Sequence, residues 1–105
     1  MNKFQKELDG YFKKEGWDYW HPLAQFTRLI EETGELARIL NHLYGEKPKK
    51  ASELEQDLED EIGDVIYTLI CLGNSTGVDL DKAARRSLNK VAKRDKGRYG
   101  KSTKS

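Results

Sequence analysis

Residues 65–72 read VIYTLICL. The run is apolar on nearly every helical face, so a helix that contains it must be covered from all sides. The chain has 105 residues, of which 36% are apolar and 35% charged. A domain of that size and charge has little apolar mass with which to wrap a central helix. The run therefore predicts a helix deep in a bundle whose core is completed by another copy of the chain.

The rest of the sequence supplies the other helices. Phe4, Leu8, Tyr11 and Phe12 recur at helical spacing over 2–15, and Gly16 ends the pattern. An aromatic connector, WDYWHP, fills 17–22. Pro22 suits a first helical turn and opens a second segment that runs to Tyr44, with Gly45 placed as its cap. After the turn GEKPKKAS, Ser52 and Glu55 have capping-box spacing and start a third helix, which reaches Ser75. Thr76-Gly77 breaks it, and Asp79 caps a fourth helix over about 80–95. No segment reads as a strand. The expected fold is all-α: a helical bundle built on a long antiparallel hairpin, its core completed by oligomerisation. One domain is expected over 1–100, with 101–105 as a mobile tail.

Composition narrows the setting. Cys71 is the single cysteine, which excludes an internal disulfide framework and suits a reducing compartment. There is no apolar run of transmembrane length, and MNKFQKELDGYF lacks a signal-peptide core. A cytoplasmic protein without membrane contact is expected. The net charge of +1 hides a division. Residues 1–81 hold 9 basic and 17 acidic side chains, whereas 82–105 hold 10 basic side chains and Asp95. Such a body calls for cations, and such an arm for an anionic partner.

The acids are patterned. Leu23, Phe26, Leu29, Ile30, Leu36, Ala37, Leu40 and Leu43 form a broad apolar arc on the second helix. Glu32 lies at its edge, and Glu35 lies one turn further on. The third helix repeats the unit in DEIGDV, with Glu61 and Asp64. Gly34 precedes Glu35 as Gly63 precedes Asp64. A mid-helix glycine costs about 1 kcal/mol against alanine, so the matched pair points to close backbone approach or room for a ligand. If the two faces pack, four carboxylates converge, and they repel unless neutralised. Oxygen-only donors favour Mg²⁺, with Mn²⁺ as an alternative.

Glu32-Thr-Gly-Glu35 and Glu61-Ile-Gly-Asp64 resemble the acid motifs of the MazG-like nucleotide pyrophosphohydrolases, in the all-α NTP pyrophosphatase superfamily. The likeness extends over about residues 20–99 and includes the GEKPKK turn and the KRDKGR segment, as in the short single-domain bacterial members. It implies a bundle assembled as a homodimer or homotetramer. It also implies Mg²⁺-dependent hydrolysis of a (d)NTP to (d)NMP and pyrophosphate, a nucleotide-pool sanitising reaction. By this resemblance Glu32, Glu35, Glu61 and Asp64 are the metal ligands. Glu31 is a candidate to orient or deprotonate the attacking water.

The resemblance also places the basic segment near the phosphates. Lys93, Arg94 and Arg98 are the leading candidates, with Asn89 beside them; Lys47, Lys49 and Lys50 read as a soluble turn. Trp17, Trp20 and His21 are the candidates for contact with the base, by stacking or hydrogen bonding. The base itself is not specified by any pattern in the sequence. An alternative reading, a non-catalytic nucleic-acid-binding or regulatory module that uses the basic arm, has no need of four convergent acids. Nucleic acid is accordingly not an expected partner.

Overall fold

The computed structural model describes residues 1–45 and 51–95, the side chains of 51–55 excepted. The expected turn lysines, the Ser52–Glu55 capping box, Arg98 and the tail at 101–105 lie outside the described side chains. Four helices account for the described fold: α1 (Asn2–Glu15), α2 (Pro22–Tyr44), α3 (Ala51–Thr76) and α4 (Leu80–Arg94). No strand occurs among the described residues.

The helix ends follow local chemistry. Gly16 takes φ 71°, and its N–H and that of Trp17 return to the carbonyls of Lys13 and Phe12. This is the left-handed stop that glycine allows without strain. Pro22 opens α2, and His21 Nδ1 accepts from the Leu23 N–H at 3.1 Å. Gly45 ends α2 in extended backbone rather than a left-handed turn. Gly77, at φ 75°, turns the chain out of α3, and the Asp79 carboxylate caps α4 by accepting from the Lys82 N–H.

α2 and α3 form the expected hairpin and share the largest interface. α1 lies along the second half of α3 in the opposite sense, with Gln5 at Asn74 and Phe12 beside Thr68 and Cys71. The seam is held by Gln5, buried although polar. Its Nε2 donates to Val78 O at 2.7 Å and Asn74 Oδ1 at 3.2 Å, and its Oε1 accepts from the Leu80 N–H at 2.8 Å. Asn74 donates to Gln5 O and to the Tyr19 hydroxyl, which donates to Asp9. Gly73 makes this closeness possible: a Cβ there would stand 2.9 Å from Gln5 Nε2 and 3.0 Å from Leu80 Cγ. α4 rests on α1.

The broad apolar arc of α2 divides in two. Gln25, Leu29, Glu32, Leu36, Ile39 and Leu43 turn inward and are buried or half-buried. Leu23, Phe26, Ile30, Thr33, Ala37, Leu40 and Tyr44 are all exposed and recur at alternating steps of three and four. That alternation is the spacing of a seam between helices. Among the described residues the buried apolar set is only Phe12, Ile39, Ile70 and Cys71. The Cα radius of gyration is 17.5 Å, against about 13 Å for a compact domain of this length. One chain thus leaves much of its apolar surface uncovered.

Candidate metal and nucleotide site

The hairpin brings the acids together by counting outward from its turn. Glu32 lies thirteen residues before Gly45, and Asp64 thirteen after Ala51, so antiparallel packing sets them at one level. Carboxylate oxygens of Glu32, Glu61 and Asp64 all lie within 4.8 Å of one another. Glu61 Oε2 is buried and has no hydrogen-bond partner among the described residues. A hydrogen bond between Glu61 and Glu32, reinforced by burial and by the charges of Glu32, Asp64 and Glu35, pushes the Glu61 carboxyl up to about 7. The same bond, with Arg28, holds Glu32 below the usual carboxylate range. The two carboxyls are thus driven apart, Glu61 upward and Glu32 downward.

This donor set fits a divalent cation. Every donor is a carboxylate oxygen, as hard cations require, and one buried oxygen lacks the partner that burial demands. Glu35 lies outside the three-residue cluster. It accepts from Arg38 at 2.9 and 3.2 Å, although its charge still acts on Glu61. Gly34 and Gly63, expected to mark close approach or room for a ligand, show only room: a Cβ at either would meet nothing within 4 Å. Close approach within the chain belongs instead to Gly73, which no acid motif marks.

Arg28 joins the acids to the aromatic connector. Its Nε donates to Glu32 Oε1 at 3.1 Å, and its guanidinium lies 6.0 Å from the Trp20 ring centroid. A cleft lined by Trp20, Thr27, Arg28, Glu31 and Glu32 runs past the acids. Glu31 is therefore beside the cluster, exposed, at the wall of the cleft. Trp17 and Trp20 are half-exposed, at 52% and 54%. His21 spends its Nδ1 on the α2 cap. The inward aromatic of the connector is Tyr19, stacked on Phe12 with centroids 4.3 Å apart. Its spacing relative to α1 gives no sign of this in sequence.

The basic candidates stand apart. Asn89, Lys93 and Arg94 lie on α4, are exposed, and are not packed against the acidic cluster. Arg94 donates to Asp95 at 3.2 and 3.3 Å. Arg98 lies outside the described residues. Gln25, which sequence reasoning passed over, is a buried amide on the inward face of α2. A glutamine among the apolar positions of that face is the signal that could have found it.

Comparison with known proteins bears on the fold as a whole. The family model for the MazG nucleotide pyrophosphohydrolase domain matches residues 21–99. The Bacillus subtilis (strain 168) protein YpjD is 48% identical over 99 residues, covering 94% of this chain and 89% of its own length. YvdC of the same organism is 31% identical over 96 residues, covering 86% and 91%. The crystal structure of B. subtilis YpjD superposes with a TM-score of 0.76 at 47% identity, covering 90% of this chain and 95% of that one. The crystal structure of a Bacillus-conserved MazG protein, described as a nucleotide pyrophosphohydrolase, gives 0.72 at 43% identity, covering 91% and 94%.

Proposed function

Since this chain belongs to the MazG nucleotide pyrophosphohydrolase family and is a hydrolase of phosphoric anhydrides, we propose that its substrate is a (d)NTP. Water attacks the α-phosphorus, the bond from that phosphorus to the α–β bridging oxygen breaks, and (d)NMP and pyrophosphate leave. The observation that carries this reading is the convergence of Glu32, Glu61 and Asp64, with one buried oxygen left unpartnered. Glu32, Glu35, Glu61 and Asp64 would hold Mg²⁺, or Mn²⁺ in its place. Bound there, the ion would neutralise phosphate oxygens and make water more acidic.

The chain's own groups do the remaining work. Glu31, at the wall of the cleft, accepts or orients the proton of the attacking water. Glu61, whose carboxyl is raised beside Glu32, would have to be ionised to serve as a ligand. Glu35 must leave Arg38 to join the ligand set. Arg28 keeps Glu32 ionised and oriented. Lys93, Arg94, Arg98 and Asn89 attend the phosphates; since α4 is not packed on the cluster, this service comes from α4 movement or from a neighbouring copy. Trp17, Trp20 and His21 line the base side. The domain spans 1–100, and the exposed seam of α2 supports a homodimer or homotetramer. The role that follows is removal of surplus or non-standard nucleotides from a cytoplasmic pool.

The test is product analysis on a panel of canonical and modified (d)NTPs, with Mg²⁺ and with EDTA. EDTA-sensitive formation of NMP and pyrophosphate is the expected result. NDP and phosphate would overturn the cleavage position. Full activity and Mg²⁺ binding in Glu35→Gln would remove Glu35 from the ligands.

A further inference from the structure

A cavity of about 490 Å³ lies under the aromatic connector, on the other side of Arg28 from the acids. Trp17, Trp20 and Tyr67 wall it, Asp18 and Arg28 lie at its sides, and Gln25 lines it from α2. Gln25 is only 5% exposed. No hydrogen bond to another described residue holds its side chain, whereas the other buried glutamine, Gln5, uses both ends of its amide. The one buried side-chain oxygen left without a partner among the described residues belongs to Glu61, so the Gln25 amide opens onto the cavity, where an occupant can meet it. We propose that Gln25 reads the edge of the nucleobase, with Trp17 and Trp20 as the stacking walls. The inference rests on the nucleotide reading given above and deepens it.

Three features of the cavity support a base as the occupant. The side-chain amide presents an acceptor and two donors, which match the adjacent donor and acceptor on a base edge. Both indole rings are half-exposed: Trp17 meets Tyr11 and Phe12 edge-on and Trp20 has Arg28 over its ring, and the exposed remainder of each faces outward for stacking. Arg28 and Trp20 border both this cavity and the cleft at Glu31 and Glu32, so the two are neighbours. A base held here leaves its sugar and phosphates directed past Arg28 toward the acids. His21 has no equivalent part, because its Nδ1 already accepts the Leu23 N–H. Specificity comes from Gln25 because a site built to hydrogen-bond one partner leaves its amide unpaired with another.

The experiment has two arms on the full chain, wild type and Gln25→Met, with Gln25→Glu as a second variant and circular dichroism to verify folding. In the first, the four deoxynucleosides are titrated without metal while tryptophan fluorescence is followed. Saturable quenching by one or more nucleosides is expected in wild type, weakened about 10- to 100-fold in Gln25→Met. In the second, hydrolysis of the four Mg²⁺–dNTPs is ranked, and the variant is expected to flatten the ranking mainly through KM. Quenching by no nucleoside in wild type, or equal quenching in both proteins, overturns the proposal. Hydrolysis with an unchanged base ranking in the variants also overturns it while leaving pyrophosphohydrolysis intact. Gln25-dependent nucleoside binding without hydrolysis sustains the base subsite and sinks the substrate reading instead.

Discussion

Carboxylate oxygens of Glu32 and Glu61 lie within 4.8 Å of each other across the α2–α3 hairpin, and this contact, with burial, pushes the Glu61 carboxyl up to about 7 while Glu32 is held low. A folded-state value above the ordinary 4.5 contributes stability in full below pH 4.5, and that stability is lost as pH rises through 7. Metal-free protein should therefore lose thermal stability between pH 5 and pH 8. Asp9 and Asp81, held low by Lys13 and by the Met1 ammonium, act only in more acidic solution. Melting curves in EDTA check this, and Glu61→Gln should flatten the slope. A wild-type Tm that rises across the window would exclude a raised Glu61 carboxyl.

Cation binding should carry the same signature in reverse. Glu61 must deprotonate to become a ligand, so Mg²⁺ should release protons on binding, and its affinity should fall by up to about tenfold per pH unit below 7. Calorimetry in buffers of different ionisation enthalpy measures the released proton. Affinity independent of pH from 6 to 8 would mean that Glu61 is not a ligand.

Gln5→Ala should destabilise the fold by about 2–4 kcal/mol, because it strands the Leu80 N–H, the Val78 carbonyl and the Asn74 amide. Urea unfolding gives the number. A loss under about 0.5 kcal/mol, the level of an ordinary surface substitution, would show that the network is not what fastens α1.

The helical glycines should respond in opposite directions. Gly73→Ala forces a Cβ against Gln5 and Leu80 and should cost about 1–3 kcal/mol. Gly34→Ala enters open space and should gain up to about 1 kcal/mol from helix propensity. Chemical denaturation ranks them. If Gly34→Ala is more stable but inactive, the space at Gly34 serves a ligand or a second copy; if Gly73→Ala is neutral, the α1–α3 contact is looser than drawn.

Ile30→Glu places a charge at the middle of the exposed α2 seam. Light scattering should show the wild type as an oligomer and the variant at the 12.1 kDa of a single chain. Identical masses for the two proteins would move the interface elsewhere.

The sequence announced what is periodic and local. Helix lengths, the Gly16 stop, the Asp79 cap and the level of Glu32 with Glu61 and Asp64 all follow from spacing along one or two helices. The apolar arc of α2 was visible, but its division was not, since hydrophobicity does not say which neighbour covers which side. Trp17 and Tyr19 could not be told apart either: Tyr19 turns inward onto Phe12, where Asn74, 55 residues away, donates to its hydroxyl. Gln5 and Gln25 read alike in sequence. Their difference, one amide saturated and one open, exists only once α1 has met α3.

That meeting has a cost in time. The α2–α3 hairpin pairs helices that follow each other in the chain, whereas Gln5 must find Asn74 and Val78 across 69 and 73 residues of chain. Loop closure of that length is slow to nucleate relative to a hairpin. The hairpin is thus expected to form first, with α1 arriving as a latch upon it. In that order the acids at the hairpin's centre come together before the aromatic connector takes its place, and the acid cluster needs no help from α1 to assemble.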